Sequence, residues 1–247
     1  YDQLAGGFHR YSVDRFWHIP HFEKMLYDNA QLISVFAQAY QLTNNPDYRR
    51  VVEETVQFLE TEMTDACGAY WSALDADSEG EEGKFYRWSE TELRLLLNND
   101  EAWATAAAIW GVGGEPNFEE KDYVLLLSRS QSETAEQQGV ELEAWLNKIQ
   151  PIKEKLLEVR NRRERPLTDT KFLASWNGLA IRGLADASRC LQEPRFHVLA
   201  ERVANAVLDQ LVDEEGRLYR TQGKDEPILR AYVDDYANLI DGLIALH

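Results

Sequence analysis

The chain has 247 residues, enough for one large domain or two small ones, and its 44% apolar and 28% charged content excludes collagen-like, low-complexity and disordered readings. Forty-three acids against 26 Lys and Arg leave a formal net charge of −17. Such a surface repels nucleic-acid phosphates and anionic membranes, so neither is expected as a partner. No apolar run reaches the roughly 18 residues of a membrane span. Cys67 and Cys190 stand far apart in the sequence, without metal-ligand or redox-motif spacing, which fits a reducing compartment such as the cytoplasm. The chain begins Tyr1-Asp2-Gln3 without a leader pattern and stops inside the apolar stretch 238–247, so both ends read as cut from a longer protein.

The predicted elements are mostly helical. From Met25 to Leu42 apolar residues recur at three-to-four spacing, at 26, 30, 33, 36, 37 and 40. Asn45 then reads as an N-cap with Pro46 at the first helical position, where a missing N–H costs nothing. A second helix carries Tyr48, Val51, Val52, Thr55, Phe58, Leu59 and Met63 on one stripe, completing a helical hairpin. Ser89-x-x-Glu92 reads as a capping box before Leu93–Leu97, Asp100–Trp110 as a helix, Gly111–Asn117 as a loop, and Glu141–Asn161 as a pair of helices separated at Pro151. The hairpin recurs: a shift of 148 residues carries Asn29 onto Asn177, Ile33 onto Ile181, Pro46 onto Pro194 and Tyr48 onto Phe196. A shift of 207 carries Asp28 onto Asp235 and Leu32 onto Leu239, so a third unit starts near Asp234. Gly6-Gly7-Phe8, Gly68-Ala69-Tyr70 and Gly216-Arg217-Leu218-Tyr219 suggest turns into short strands. Repeated helical hairpins with brief β excursions imply an all-α fold, an α/α toroid, with an ordinary solenoid as the competing topology. A whole toroid needs more residues than these, so the ring is expected to be incomplete.

Ionisable and aromatic residues concentrate in four places. The first is Gly6-Gly7-Phe8-His9-Arg10-Tyr11, running on through Trp17, His18 and His21 to Asn29. His9 and His21 suit proton transfer near neutral pH, and Glu23, Lys24, Tyr27 and Asp28 lie beside them. The plainer reading is that His21 and Glu23 only pin the helix entry. The second is Trp71 to Tyr86. Asp75 and Asp77 share one face if extended, about 6–7 Å apart, a spacing that could serve a carboxylate pair. The stretch opens like a calcium loop, but its twelfth position is Tyr86 where a bidentate Glu is required, and no metal or cofactor is expected. A loop in which Asp side chains bond nearby amides is the structural alternative. The third is the basic run 160–165, followed by Asp169, Lys171 and Trp176-Asn177-Gly178. Arginine forks suit carboxylates or phosphates, while a solvated helix end explains such a run more simply. The fourth is Tyr232 to Ala237, where Asp234 or Asp235 reads as a helix cap. Phosphate-binding loops, dinucleotide fingerprints, zinc-protease helices and serine-hydrolase elbows are all missing from the sequence.

The stretches 6–14, 20–30 and 75–86, with Lys171-x-Leu173-x-x-Trp176-Asn177-Gly178-Leu179 and Ala231-Tyr232-x-x-Asp235-Tyr236-Ala237, occur in the order found in the YyaL-like thioredoxin domain-containing proteins. The sequence resembles that family, which includes the spermatogenesis-associated thioredoxin-like proteins of animals, over nearly its whole length. The resemblance implies a six-hairpin-glycosidase-like toroid joined in the parent chain to an N-terminal thioredoxin-like domain that is absent here. It also implies a toroid similar to those of N-acylglucosamine 2-epimerases and glycosidases, hence carbohydrate metabolism as an analogy of fold. Two positions depart from the family pattern: Thr170 where a second acid often precedes the lysine, and Pro116 where glycine is common. The expected ligand is a small saccharide lying on aromatic faces. The expected catalytic groups are His9, His21, Glu23, Asp75 and Asp77. Arg10, Tyr11, Trp17, Lys24, Tyr27, Asp28, Asn29, Trp71, Lys171, Trp176, Asn177, Asp234 and Asp235 are expected to bind substrate. The alternative is a non-catalytic domain that presents a client to the thioredoxin-like domain.

Overall fold

A computed structural model describes residues 1–222 and 227–247. Helices follow one another as α1 (Leu26–Thr43), α2 (Pro46–Glu62), α3 (Glu90–Leu96), α4 (Asp100–Trp110), α5 (Gln131–Gln137), α6 (Leu142–Arg160), α7 (Ala174–Leu191), α8 (Pro194–Leu211) and α9 (Val233–Leu246). They belong to two compact units, one made of Tyr1–Glu23 and Ala76–Leu167, the other of Lys24–Asp75 and Thr168–His247. None of the described helices is long and apolar enough to cross a membrane.

The second unit contains the repeat. The 148-residue shift carries the first residue of α1 onto that of α7 and the first residue of α2 onto that of α8, and the 207-residue shift carries the start of α1 onto the start of α9. Helix ends repeat as well. Asn44 and Gln192, equivalent under the shift, close α1 and α7 in the left-handed region, with φ of 53° and 58°. Asn45 caps α2 as expected, its side chain accepting from the Asp47 N–H at 2.9 Å. Helix α7 lies between α1 and α9. It is the most enclosed helix because small residues face both neighbours. A Cβ on Gly183 would meet the Ala30 carbonyl oxygen at 2.4 Å, and one on Gly178 would meet the Asn238 carbonyl at 2.6 Å. The apolar stripes of all five helices close over one core that includes Leu26, Ile33, Phe58, Ile181, Leu184, Phe196 and Val207. Three short strands, Lys24–Met25, Ala73–Leu74 and Thr168–Asp169, form a small antiparallel sheet. Strand Tyr219–Gln222, following the Gly216 turn, pairs with Pro227–Arg230.

The first unit packs α3 to α6 around Trp88, Leu93, Ile109, Trp110, Tyr123, Trp145 and Leu156. A smaller cluster joins Phe22, Ala76, Phe85, Tyr86 and Val124. Four expectations are corrected by this unit. Pro151 does not end a helix; it lies inside the single helix α6. Pro151 and Asn147, whose carbonyl it deprives of a donor, both face water, while Trp145, Ile149, Ile152 and Leu156 keep the buried stripe continuous. The capping box at α3 forms by half: Ser89 accepts from the Glu92 N–H at 3.2 Å, but the Glu92 carboxylate turns to Arg163 at 2.8 Å. A complete box forms instead at Ser130 and Glu133, capping α5, a helix that the sequence pattern does not announce. Gly6 and Gly7, both with positive φ, close a turn over residues 3–5 as expected, but no strand follows at once; the first strand is Tyr11–Ser12.

Candidate functional site

In the first unit, strand Tyr11–Ser12 pairs with Pro20–His21, setting Tyr11 opposite His21. Their rings stack at 4.9 Å with 14° between planes. The carboxylate Oε2 of Glu23 accepts from Arg10 Nη1 at 3.0 Å and lies 3.3 Å from Nδ1 of His21. That second approach is within ion-pair range for a protonated ring but is not aligned as a hydrogen bond, so Nδ1 has no hydrogen-bond partner among the described residues. A second tie, from the Arg10 N–H to the Glu23 carbonyl at 2.9 Å, fixes the arginine's backbone to the same residue. Arg10, Tyr11, His21 and Glu23 therefore form one cluster of partly exposed groups. His9 lies one residue earlier. Its Nδ1 is 3.0 Å from the Phe22 carbonyl, which can only accept, so Nδ1 carries the proton in this contact. Its ring edges meet Tyr86 at 4.8 Å and Phe22 at 5.5 Å.

The turn between these strands is organised by Asp14, a residue without an expected role. Its carboxylate accepts from the backbone N–H groups of Ile19 (3.0 Å), His18 (2.8 Å) and Phe16 (3.0 Å) and from the Ser12 hydroxyl (2.9 Å). The Ile19 amide is the foremost reason why the Asp14 carboxyl is held down to about 2. Trp17 sits at the tip with φ of 62° and 83% of its surface exposed, beside exposed Phe16. The signal for this turn is present in the sequence as an Asp that begins a stretch without helical or strand period.

Asp77 pairs with Glu82 across a two-residue turn, Glu79-Gly80, both with positive φ, as a tight hairpin requires. Asp75 and Asp77 are exposed while Leu74, Ala76 and Ser78 are buried, the alternation of an extended segment. Among the described residues no group of three or more His, Cys, Asp or Glu is placed to hold a metal ion.

The basic run divides: Arg162 and Arg165 are exposed, as a solvated helix end would have them, whereas Arg160 and Arg163 are drawn into the unit. Arg160 is buried against Asp2 at 2.8 Å and lies over the Phe85 and Tyr86 rings. Arg163 covers Trp88 at 4.0 Å and donates to the carbonyls of Phe85 and Arg87 at 2.8 and 2.9 Å. Two guanidinium groups thus tie the end of α6 to the β segments of this unit. Their partner Asp2 escapes a reading of the sequence because an N-terminal turn gives no periodic signal.

In the second unit several motif residues have their polar atoms engaged by the backbone. The Asn177 amide donates to the carbonyls of Tyr70 (3.0 Å) and Leu173 (3.1 Å) and accepts from the Tyr70 N–H at 2.8 Å. Asn29 repeats the contact one turn back, donating to the Met25 carbonyl at 2.9 Å. Asp235, fully buried, caps α9 from its third residue: it accepts from the Tyr232 N–H (2.9 Å), the Ser175 N–H (3.3 Å) and Arg220 (3.0 Å). Asp234 is exposed and 3.4 Å from the same arginine. Lys24 is buried with its ammonium over Phe58 at 4.4 Å. Tyr27 meets Trp176 edge-on at 4.8 Å. The Trp71 indole donates to Asp65 at 2.9 Å, and exposed Lys171 pairs with Asp169 at 2.9 Å. Asp28 lies in the first turn of α1.

The helical hairpins define a class, the α/α-toroid proteins. A sugar epimerase from a ruminal bacterium has this fold; it superposes with a TM-score of 0.56 over 99% of this chain and 44% of that one, at 10% identity. Within that class the chain is similar to spermatogenesis-associated protein 20. It is 33% identical to the human protein over 278 residues and 34% identical to the mouse protein over the same length. Both alignments take in 100% of this chain but 35% of the relative, so the chain spans about a third of the length of the curated relatives it matches. No protein-family model matches the chain.

Proposed function

We propose that the chain is the carbohydrate-active region of a larger multidomain protein and that it works as a sugar epimerase or isomerase. The observation that carries this reading is the Arg10–Glu23–His21–Tyr11 cluster. His21 Nδ1 stands 3.3 Å from a carboxylate oxygen that Arg10 holds in place, and Tyr11 covers one face of the ring. Epimerisation beside a carbonyl needs a group that removes a proton from carbon and a group that returns one, and imidazole does both near neutral pH. The name of the toroid neighbour, a sugar epimerase, supports the substrate class. Hydrolysis would call for two carboxylates facing one glycosidic bond. His9, Asp75 and Asp77 are further candidates for proton transfer or hydroxyl binding, and exposed Trp17 offers a face for a sugar ring. In this reading both compact units belong to one toroidal domain. The parent chain carries a thioredoxin-like domain, resides in the cytoplasm and needs no cofactor.

The test uses the full-length protein in deuterated water with a panel of reducing mono- and disaccharides, beside His21→Ala. Deuterium entering the carbon next to the carbonyl, and its loss in the variant, is the expected result. Unchanged exchange in the variant removes His21 from the reaction. A silent panel with measurable glycan binding turns the reading to a non-catalytic presenting domain.

A further inference from the structure

Helices α1, α7 and α9 occupy equivalent places in the repeat, and each neighbouring pair packs in the same register. Gly183 of α7 and Gly242 of α9 fall on each other under the shifts that align the helix starts, and so do Ala30 of α1 and Gly178 of α7. A Cβ on Gly183 would meet the Ala30 carbonyl oxygen at 2.4 Å, and a Cβ on Gly242 would meet the Gly178 carbonyl oxygen at the same distance. An isoleucine flanks each contact, Ile33 at 3.4 Å and Ile181 at 3.2 Å. Each incoming helix therefore lays a glycine on the same carbonyl of the helix before it, an approach open only to a residue without Cβ. The receiving face recurs as well. Ala30, Ile33 and Ala37 form it on α1, and Gly178, Ile181 and Ala185 on α7, and all six are buried. On α9 the equivalent residues are Ala237, Ile240 and Ile244, still apolar and on one helical face. There they are exposed, Ile240 at 53% and Ile244 at 70%.

We infer that this face of α9 is a docking surface for one further helix of the repeat, supplied by the parent protein outside these 247 residues and carrying a glycine that lies on the Ala237 carbonyl. The aligned stretch is 35% of the human and mouse relatives, so proteins of this kind have the polypeptide to provide it. A second copy of the chain fits less well. Of the three equivalent helices, α7 and α9 already have their glycines buried, and α1 carries exposed Val35 at that position, whose Cβ would run into the carbonyl. The inference rests on the reading of the chain as a region of a larger protein and is independent of the proposed epimerisation.

The test uses the full-length parent protein. In Ile240→Cys, maleimide labelling followed at that peptide by mass spectrometry should be slower than in urea-unfolded protein by on the order of a hundredfold, at every protein concentration. Labelling as fast as in the unfolded protein overturns the inference, and protection that disappears on dilution overturns it in favour of a second copy. A diazirine amino acid in place of Ile244 should cross-link to a glycine-containing helix outside residues 1–247; capture of a segment from the thioredoxin-like domain, or from within these residues, also overturns it. If the cysteine variant fails to fold, hydroxyl-radical footprinting of Ile240 and Ile244 in the wild-type protein decides, with fast oxidation of both refuting the docked helix. None of these readouts measures turnover, so a silent saccharide panel leaves the docking surface standing, and an uncovered α9 leaves the epimerase reading untouched.

Discussion

Replacing Asn177 by alanine separates a folding role from a binding role. The amide closes three contacts: it accepts from the Tyr70 N–H and donates to the carbonyls of Tyr70 and Leu173. Leu173 keeps a partner in the variant, since its carbonyl also accepts the backbone N–H of residue 177 at 3.0 Å. Tyr70 does not share that protection. It is fully buried, and both its backbone groups at this point rely on the one side chain. An orphaned buried group costs about 1–3 kcal/mol, so two of them put the loss at roughly 2–6 kcal/mol. For a chain of this size that corresponds to a Tm lower by on the order of 10 °C, read by circular dichroism. Asn177→Asp sharpens the test. It preserves the acceptor toward Tyr70 but sets a carboxylate 3.0–3.1 Å from two carbonyl oxygens, so it should be at least as unstable as the alanine variant at neutral pH and partly recover when acid protonates it. If the alanine variant melts within about 0.5 kcal/mol of wild type, as harmless surface changes do, the clamp is not what holds Tyr70 and Asn177 returns to the ligand-binding candidates.

Other consequences can be measured on the same protein. Gly183→Ala should destabilise, because overpacking against the Ala30 carbonyl at 2.4 Å costs about 1–3 kcal/mol and outweighs the ~1 kcal/mol that alanine gains in a helix interior; a variant as stable as wild type contradicts the close approach of α1 and α7. The Glu60 carboxyl lies below its ordinary 4.5: burial pushes it up, but hydrogen bonds from Arg202 and Tyr70 prevail. Its contribution to stability is therefore complete above pH 4.5 and lost as acid titrates the folded form, and Glu60→Gln should flatten that limb of a urea-midpoint profile against pH. Burial, then Glu60, raises Tyr70 well above 10.0, so the stability linked to Tyr70 holds below that pH and falls as pH climbs past it; an alkaline limb without such a fall sinks the assignment. Asp14→Ala should speed hydrogen exchange at the His18 and Ile19 amides, which donate to its carboxylate, and unchanged protection there would mean that the turn is held by something else.

Much of the second unit is legible in the sequence alone, for reasons that lie in single residues. Helix periodicity and proline at the first helical position are local signals, and the 148-residue shift converts one hairpin into two with matching starts. The left-handed closures at Asn44 and Gln192 are equivalent under that shift, but only the structure reveals their conformation. What escapes is whatever depends on partners distant in sequence. Nothing near Arg160 announces Asp2, and nothing near Asn177 announces the Tyr70 backbone. Pro151 misleads because its effect depends on which side of the helix meets water, a property the local pattern does not carry. The Ser130–Glu133 box is legible in principle but lacks the apolar run that would draw attention to it.

The division into units also alters how the densest motif should be read. The stretch from His9 to Asn29 looks like one constellation in sequence, yet Glu23 closes a segment of the first unit and Lys24 opens a segment of the second. Along it, Phe22, Lys24 and Leu26 are buried while His21, Glu23 and Met25 remain partly exposed, the period of an extended chain. Lys24, Asn29 and, further on, Asn177 and Asp235 are buried and engage ring faces or backbone groups, so folding alone is reason enough for their presence. Arg10, His21 and Glu23 differ: their charged groups face one another beside the Tyr11 ring, on partly exposed side chains, where the 3.3 Å His21–Glu23 approach contributes little to stability. A charged and aromatic group that contributes little to folding is better explained by what it does to a ligand, and that distinction is why the proton-transfer proposal rests on His21 and Glu23 rather than on the more deeply buried residues of the same motif.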